Sequence, residues 1–143
     1  MASIFTRIIN GEIPSYKIAE NENCFAFLDI SPLAKGHTLV VPKKETDYIF
    51  DIDSAAYNEL WTFAKYVAAA VEKAVPCKRI GIAVIGLEVP HAHIHLIPMN
   101  RVSDMNFANP KLKIPDEEMQ EIALRIRSFF PFNFSSLNFK CDF

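Results

Sequence analysis

His91-Ala92-His93-Ile94-His95-Leu96-Ile97 is the stretch on which the reading of this chain turns. In an extended strand, side chains at i, i+2 and i+4 point to the same side. His91, His93 and His95 then share one face, and Ala92, Ile94 and Leu96 share the other. The apolar face can sit against a helix, while the opposite face gathers three titratable rings. The chain has four histidines, and the fourth is His37.

Working outward, 93–97 is expected to be a strand stopped by Pro98, with a strand over 80–85 before it. Pro76 ends a long helix that Ser54 is placed to cap. Leu60, Phe63, Ala64, Val67, Val71 and Ala74 recur along it at helical spacing, giving it one apolar face. Strands over 16–20 and 24–28 read as a hairpin across Asn21-Glu22-Asn23. A loop over 29–36 leads to a third strand, 37–41, stopped by Pro42. A short helix is expected over 46–50, and one or two helical turns over 4–9, ended by Asn10-Gly11.

Beyond the histidines, 99–113 reads as irregular. Pro115 followed by Asp116, Glu117 and Glu118 marks a helix start, since acidic groups suit the positive end of the macrodipole. That helix is expected over 115–130, with Met119, Ile122, Ile126 and Phe129 on one face and Pro131 ending it. Phe132, Phe134, Phe139 and Phe143 in the tail are expected to pack on the domain or on a second copy. Short antiparallel connections dominate, and no βαβ series occurs. The expected class is α+β: an antiparallel sheet of about five strands, one long central helix and a C-terminal helix.

Composition narrows the function. The 143 residues are 50% hydrophobic and 22% charged, which fits one compact domain over 1–143. A net charge of -2 without a run of one sign argues against a nucleic-acid footprint, though a local pocket can still take a small anion. Cys24, Cys77 and Cys141 are odd in number and form no C-x-x-C pair, which fits reduced thiols in a reducing compartment. Residues 1–7 lack a secretory h-region, and 64–75, the most apolar run, contains Lys65, Glu72 and Lys73. The expectation is a cytoplasmic protein with no membrane partner.

Three readings of the histidines stand side by side. Each ring can be structural, satisfied by one hydrogen bond. Two histidines two apart on a strand can also share a zinc ion, with His37 as a further ligand, although no adjacent cysteine or carboxylate pattern completes a tetrahedral set. Finally, a neutral imidazole can attack phosphorus while its neighbours hydrogen-bond the phosphate oxygens or protonate the leaving group.

The histidine stretch resembles the signature of the histidine triad (HIT) family, His-φ-His-φ-His-φ-φ with φ apolar, and matches it at every position. Ser3-Ile4-Phe5-Thr6-Arg7-Ile8-Ile9-Asn10-Gly11-Glu12-Ile13-Pro14 resembles the family's N-terminal segment. Phe27-Leu28-Asp29-Ile30-Ser31-Pro32 is similar to its nucleoside-binding segment, and Gly36-His37-Thr38-Leu39-Val40-Val41-Pro42-Lys43 to a second conserved strand. The resemblance covers roughly 3–100 and points to the nucleotide-binding branch, which leaves 99–143 as a C-terminal extension of a single domain.

The resemblance implies a HIT-like fold, a homodimer around a continuous sheet, and a purine nucleotide, AMP-like, as ligand. It implies attack by His93 on the α-phosphate of a nucleoside phosphoramidate or related nucleotide, followed by water release of the nucleoside monophosphate. His91 and His95 would orient the nucleophile and bind phosphate, and His37 would support the cluster. The base pocket falls on Phe5, Ile8, Phe27 and Ile30, and Asp29 would accept from the ribose hydroxyls. Phe5, Ile8 and Phe27 would equally suit a core, and Asp29 a turn.

Departures from the family pattern matter too. Ser3 and Thr6 stand where zinc-carrying members have Cys-x-x-Cys, so no metal or other cofactor is expected. Gly86 and Glu88 match many members in the approach to the triad and are assigned to the nucleotide. The asparagine common there is missing, and Glu88 replaces a serine that some members place near the leaving group. Slower catalysis or a different leaving group would follow. Two alternatives remain: a dinucleoside polyphosphate hydrolase using the same residues, and a regulatory nucleotide-binding dimer with weak turnover.

Overall fold

Alternation along the strands sorts the chain to the two sides of a five-stranded antiparallel sheet. In the computed structural model, which describes residues 1–130, the strands are β1 (Lys17–Glu20), β2 (Cys24–Leu28), β3 (Thr38–Pro42), β4 (Arg79–Ala83) and β5 (Ile94–Met99). Their spatial order is β1-β2-β3-β5-β4. Three α-helices accompany them: α1 (Ile4–Ile9), α2 (Ser54–Ala74) and α3 (Asp116–Arg127). The expected α+β class is therefore found. The four tail phenylalanines and Cys141 lie outside the described residues.

The larger core lies between one sheet face and the helices. Ala26, Leu28, Val40, Ile94 and Leu96 meet Leu60, Phe63, Val67 and Val71 of α2, all buried. Each of these side chains larger than alanine contributes about 1.5–3 kcal/mol on leaving water. Met119, Ala123 and Ile126 of α3 join the same core. The opposite sheet face carries a smaller cluster in which Phe25, Phe27, Leu39 and Val41 meet Phe5 of α1.

Several boundaries differ from expectation. Asp53, not Ser54, caps α2, accepting from the Ala56 N–H at 3.0 Å. Pro42 closes β3 from inside, opposite Cys24. Pro98 lies within β5, opposite Ile80. The β3 pairing of β5 ends at Leu96, so Pro98 sits where one side of the strand is an edge, which proline tolerates. The expected helix over 46–50 is a single 3-10 turn, Ile49–Asp51. Strand β4 stops at Ala83, before Ile85, because the chain there leaves the sheet. Helix α3 ends at Arg127, so Phe129 falls off its apolar face and is exposed, while Phe130 enters the core.

The most consequential difference concerns the histidines. Strand β5 begins at Ile94, and His91 and His93 precede it. Their spacing still works because the backbone approaches the sheet extended. The Ala92 N–H donates to the Thr46 carbonyl at 2.7 Å, and Ala92 packs in the α2 core with Ile94 and Leu96. No helix among the described residues is long and apolar enough to cross a membrane.

Candidate active site

Helix α1 is held against the histidines by its own cap. The Ser3 hydroxyl oxygen accepts from the Thr6 N–H at 3.1 Å and lies 2.7 Å from His91 Nδ1. Glu45 accepts from the Ser3 N–H at 2.6 Å and from the Thr6 hydroxyl at 2.8 Å. His91 Nε2 stands 2.7 Å from the Pro42 carbonyl oxygen, which can only accept, so the ring proton is on Nε2. His91 Nδ1 then accepts the Ser3 hydroxyl proton. The docked helix sets the Phe5 ring edge-on to His93, with centroids 5.0 Å apart, and 5.5 Å from Phe27.

The remaining tautomers follow from the same bookkeeping. His93 Nδ1 is 2.8 Å from the His91 carbonyl oxygen, so Nδ1 carries the proton and donates, which leaves a lone pair on Nε2. The Leu33 N–H donates to His37 Nδ1 at 3.0 Å, so His37 is protonated on Nε2. That Nε2 donates to His95 Nδ1, also at 3.0 Å. His95 therefore holds its own proton on Nε2. A backbone amide thus dictates, through two rings, the donor that His95 presents.

Burial favours the neutral form of His37, His95 and His91. It pushes the His37 pKa down to about 3, helped by the neighbouring His95 and Lys111. His95 falls to about 4 for the same reason, with His93 and Lys111 contributing. His91 is lowered by burial, against the opposing pull of the Pro42 carbonyl and Glu45. Burial raises the Asp29 carboxyl, and the Ser31 N–H, which it accepts at 2.8 Å, draws it partly back.

Beside the rings lies a cavity of about 450 Å³. Phe5, Asp29, Gly86 and Glu88 line it together with His37, His93 and His95. Gly86 has φ +71 and open space around the position of a Cβ, so its requirement is conformational, not steric. Four residues assigned from the sequence do not line the cavity. His91 is fully buried with both nitrogens engaged. Phe27 is buried behind Phe5, Ile8 packs on that cluster, and Ile30 is exposed.

The triad geometry has relatives. The chain matches the HIT domain family over residues 10–102. It belongs to the HIT family. It is 34% identical over 131 residues to an HIT-like protein of Borreliella burgdorferi, which covers 86% of this chain and 94% of that one. It is 38% identical over 102 residues to the adenosine 5′-monophosphoramidase HNT1 of Saccharomyces cerevisiae, covering 68% of this chain and 62% of the yeast protein. Among solved structures, a HIT-like protein of Bartonella henselae gives a TM-score of 0.76 at 32% identity, covering 88% of this chain and 95% of that one.

Zinc-bound HIT structures exist, one from Mycobacterium smegmatis. In this HIT protein Ser3 and Thr6 offer hydroxyls where a thiolate pair would be needed, and both are engaged with Glu45. These residues do not fit a structural zinc. Asp29, His37 and His95 do bring three ligand atoms within 4.8 Å of one another, a set that could accept a metal ion.

Sequence reasoning missed several contributors. Glu45 carried no signal of its own. Leu39 was within reach, because it alternates with His37 and so faces the cavity. Phe107 and Lys111 came from the stretch read as irregular. The Phe107 ring stands 4.9 Å from His95 and 6.5 Å from His37, and Lys111 lines the cavity beside it.

Proposed function

We propose that residues 1–143 act as one histidine triad domain, with 99–143 as its extension, and hydrolyse purine nucleoside phosphoramidates at the α-phosphate. The observation that carries this reading is the 2.8 Å approach of His93 Nδ1 to the His91 carbonyl oxygen, which calls for the proton on Nδ1 and frees Nε2 to attack. His93 Nε2 bonds to phosphorus, and the bond to the leaving amine breaks with its electron pair going to nitrogen, which takes up a proton from solvent. Water then attacks the phosphorus of the nucleotidylated His93 and gives up a proton to solvent, the P–N bond breaks with its electron pair returning to His93 Nε2, and the nucleoside monophosphate leaves.

The other residues take roles that suit their positions. His95 donates from Nε2 to a phosphate oxygen, and His37 holds it in that tautomer. Asp29 accepts from the ribose hydroxyls, and Phe5 forms an apolar wall for the base, with Phe27 behind it. Gly86 and Glu88 border the phosphate and leaving-group end. His91 works through its carbonyl and through Ser3, as a positioning residue. The name of the yeast relative, an adenosine 5′-monophosphoramidase, supports an AMP-like ligand. A cytoplasmic homodimer completes the reading: β4 is an edge strand with Ile82 exposed, so a second copy can continue the sheet.

The test sets wild type beside His93→Ala on an adenosine phosphoramidate, following AMP release and the intact mass of the protein. Release of AMP, with a transient adduct that His93→Ala lacks, is the expected result. No AMP from the wild type, or turnover that survives His93→Ala, would sink the proposal. Size-exclusion chromatography should give a dimer.

A further inference from the structure

Helix α1 has only 6 residues, too few to be stable by itself, yet it brings Ile4 and Phe5 to the cavity wall. Phe5 is buried, and its ring centroid stands 5.0 Å from that of His93 and 5.7 Å from that of His91. Among the described residues, every hydrogen bond from Ser3 or α1 to the rest of the fold ends on Glu45 or His91. Glu45 is 42 positions from Ser3 and 39 from Thr6, on the segment that follows β3.

That segment is pinned on both sides of Glu45. The Lys43 N–H donates to the Asn23 carbonyl at 2.7 Å, and the Thr46 carbonyl accepts the Ala92 N–H at 2.7 Å. Ala92 separates His91 from His93, so Glu45 is fixed relative to the histidines. A single carboxylate oxygen, Oε1, accepts from both the Ser3 N–H and the Thr6 hydroxyl. It also sorts the protons around His91. Thr6 Oγ1 lies 3.5 Å from His91 Nδ1, but its hydrogen is claimed by Glu45, which leaves the Ser3 hydroxyl as the donor to that ring at 2.7 Å. The Ser3 N–H first, and then the Thr6 hydroxyl, hold the Glu45 carboxyl down at about 2.

We propose that Glu45 is a positioning residue for the nucleotide: through Ser3 and Thr6 it sets α1, and with it the Phe5 wall for the base, at a fixed place beside His93. This rests on the reading above, in which Phe5 borders the base and His93 attacks phosphorus. Glu45 does not line the cavity and touches neither the base nor the phosphate. Its effect is preorganisation. With α1 already docked, a nucleotide meets a finished wall; with α1 loose, binding must also order the helix. The loss therefore falls on affinity and KM before it falls on kcat. An acceptor at the place of Oε1 is what the two donors require. Glutamine can offer its carbonyl oxygen there, and alanine offers nothing.

The experiment compares full-length wild type, Glu45→Ala and Glu45→Gln, each well below its own unfolding midpoint. KM and kcat are read on an adenosine phosphoramidate, and AMP affinity by calorimetry. Glu45 is exposed, so neither change opens the core. Glu45→Ala should raise KM and the Kd for AMP about tenfold, the scale of the lost hydrogen bonds, while kcat falls less than about threefold. Glu45→Gln should bring KM and Kd back to within about threefold of wild type. In a Phe5→Ala background, Glu45→Ala should add little, because the side chain it positions is gone. A lower unfolding midpoint with KM and Kd unchanged, a Glu45→Gln protein as weak as Glu45→Ala, or a full tenfold loss in the Phe5→Ala background overturns the role of Glu45 and leaves the hydrolase reading standing. If the wild type neither binds AMP nor releases it, the hydrolase reading falls and takes this proposal with it.

Discussion

His37 Nε2 and His95 Nδ1 stand 3.0 Å apart, and the Leu33 amide decides which of them holds the shared proton. Replacing His37 by phenylalanine keeps an aromatic ring but leaves the Leu33 N–H and His95 Nδ1 without partners. Each buried orphan costs about 1–3 kcal/mol. The tautomer of His95 is also released. We expect a lower midpoint in thermal unfolding and a fall in kcat of about tenfold or more. Unchanged kcat in a folded His37→Phe protein would contradict the relay.

Ser3 has two tasks at once: it caps α1 and it donates to His91. Ser3→Ala removes a cap worth about 1 kcal/mol and strands His91 Nδ1 in a buried position. Denaturant unfolding should register a loss of about 1–3 kcal/mol. Because Phe5 rides on the same helix, KM should rise more than kcat falls. A stability loss without any kinetic change would separate α1 from the site.

Gly36 turns the chain into His37 with φ +88, and a Cβ there would meet Val75 Cγ2 at 2.7 Å. Gly36→Ala therefore carries about 1–2 kcal/mol of backbone strain, with overpacking added to it. Thermal unfolding should show the loss directly. A neutral outcome would mean that the turn and Val75 move together at little cost.

Stability should fall in mild acid. His37 and His95 have folded values of about 3 and about 4 against 6.5 when unfolded. Between those limits the unfolded chain binds more protons, so stability falls as pH is lowered from about 6.5 and stops falling below the folded values. Above pH 6.5 both states are neutral and this contribution is flat. Between pH 7 and pH 5 we expect a loss on the order of 2–4 kcal/mol from the pair. Urea midpoints measured across that range provide the check, and a His37→Phe variant should show a shallower slope.

How much of this the sequence disclosed depends on how local each signal was. The alternation at 91–97 placed Ala92, Ile94 and Leu96 in the α2 core, although the ladder begins only at Ile94. Alternation is a property of extended backbone, so it survived the wrong strand boundary. The apolar stripe of α2 was equally plain, since Leu60, Phe63, Ala64, Val67, Val71 and Ala74 are all buried. What stayed hidden involved long separations. Glu45 acts on Ser3 and Thr6 across the fold, and Phe107 and Lys111 belong to a stretch without periodicity. No spacing rule joins such residues, because tertiary packing alone brings them together. The spacing put His91 on the same side as His93 and His95, but it could not disclose that both its nitrogens are engaged by Ser3 and Pro42.

The sheet keeps its large core on one face and its cavity on the other, and neighbouring residues serve opposite faces. Evolution can therefore edit the two independently. The β5–α3 connection reaches the cavity without supplying any residue of α3 to it, so new side chains at 107 or 111 can change what the site accepts at small risk to folding. Divergence in substrate preference among chains built this way should concentrate in that connection, while the residues facing α2 drift only within their volume.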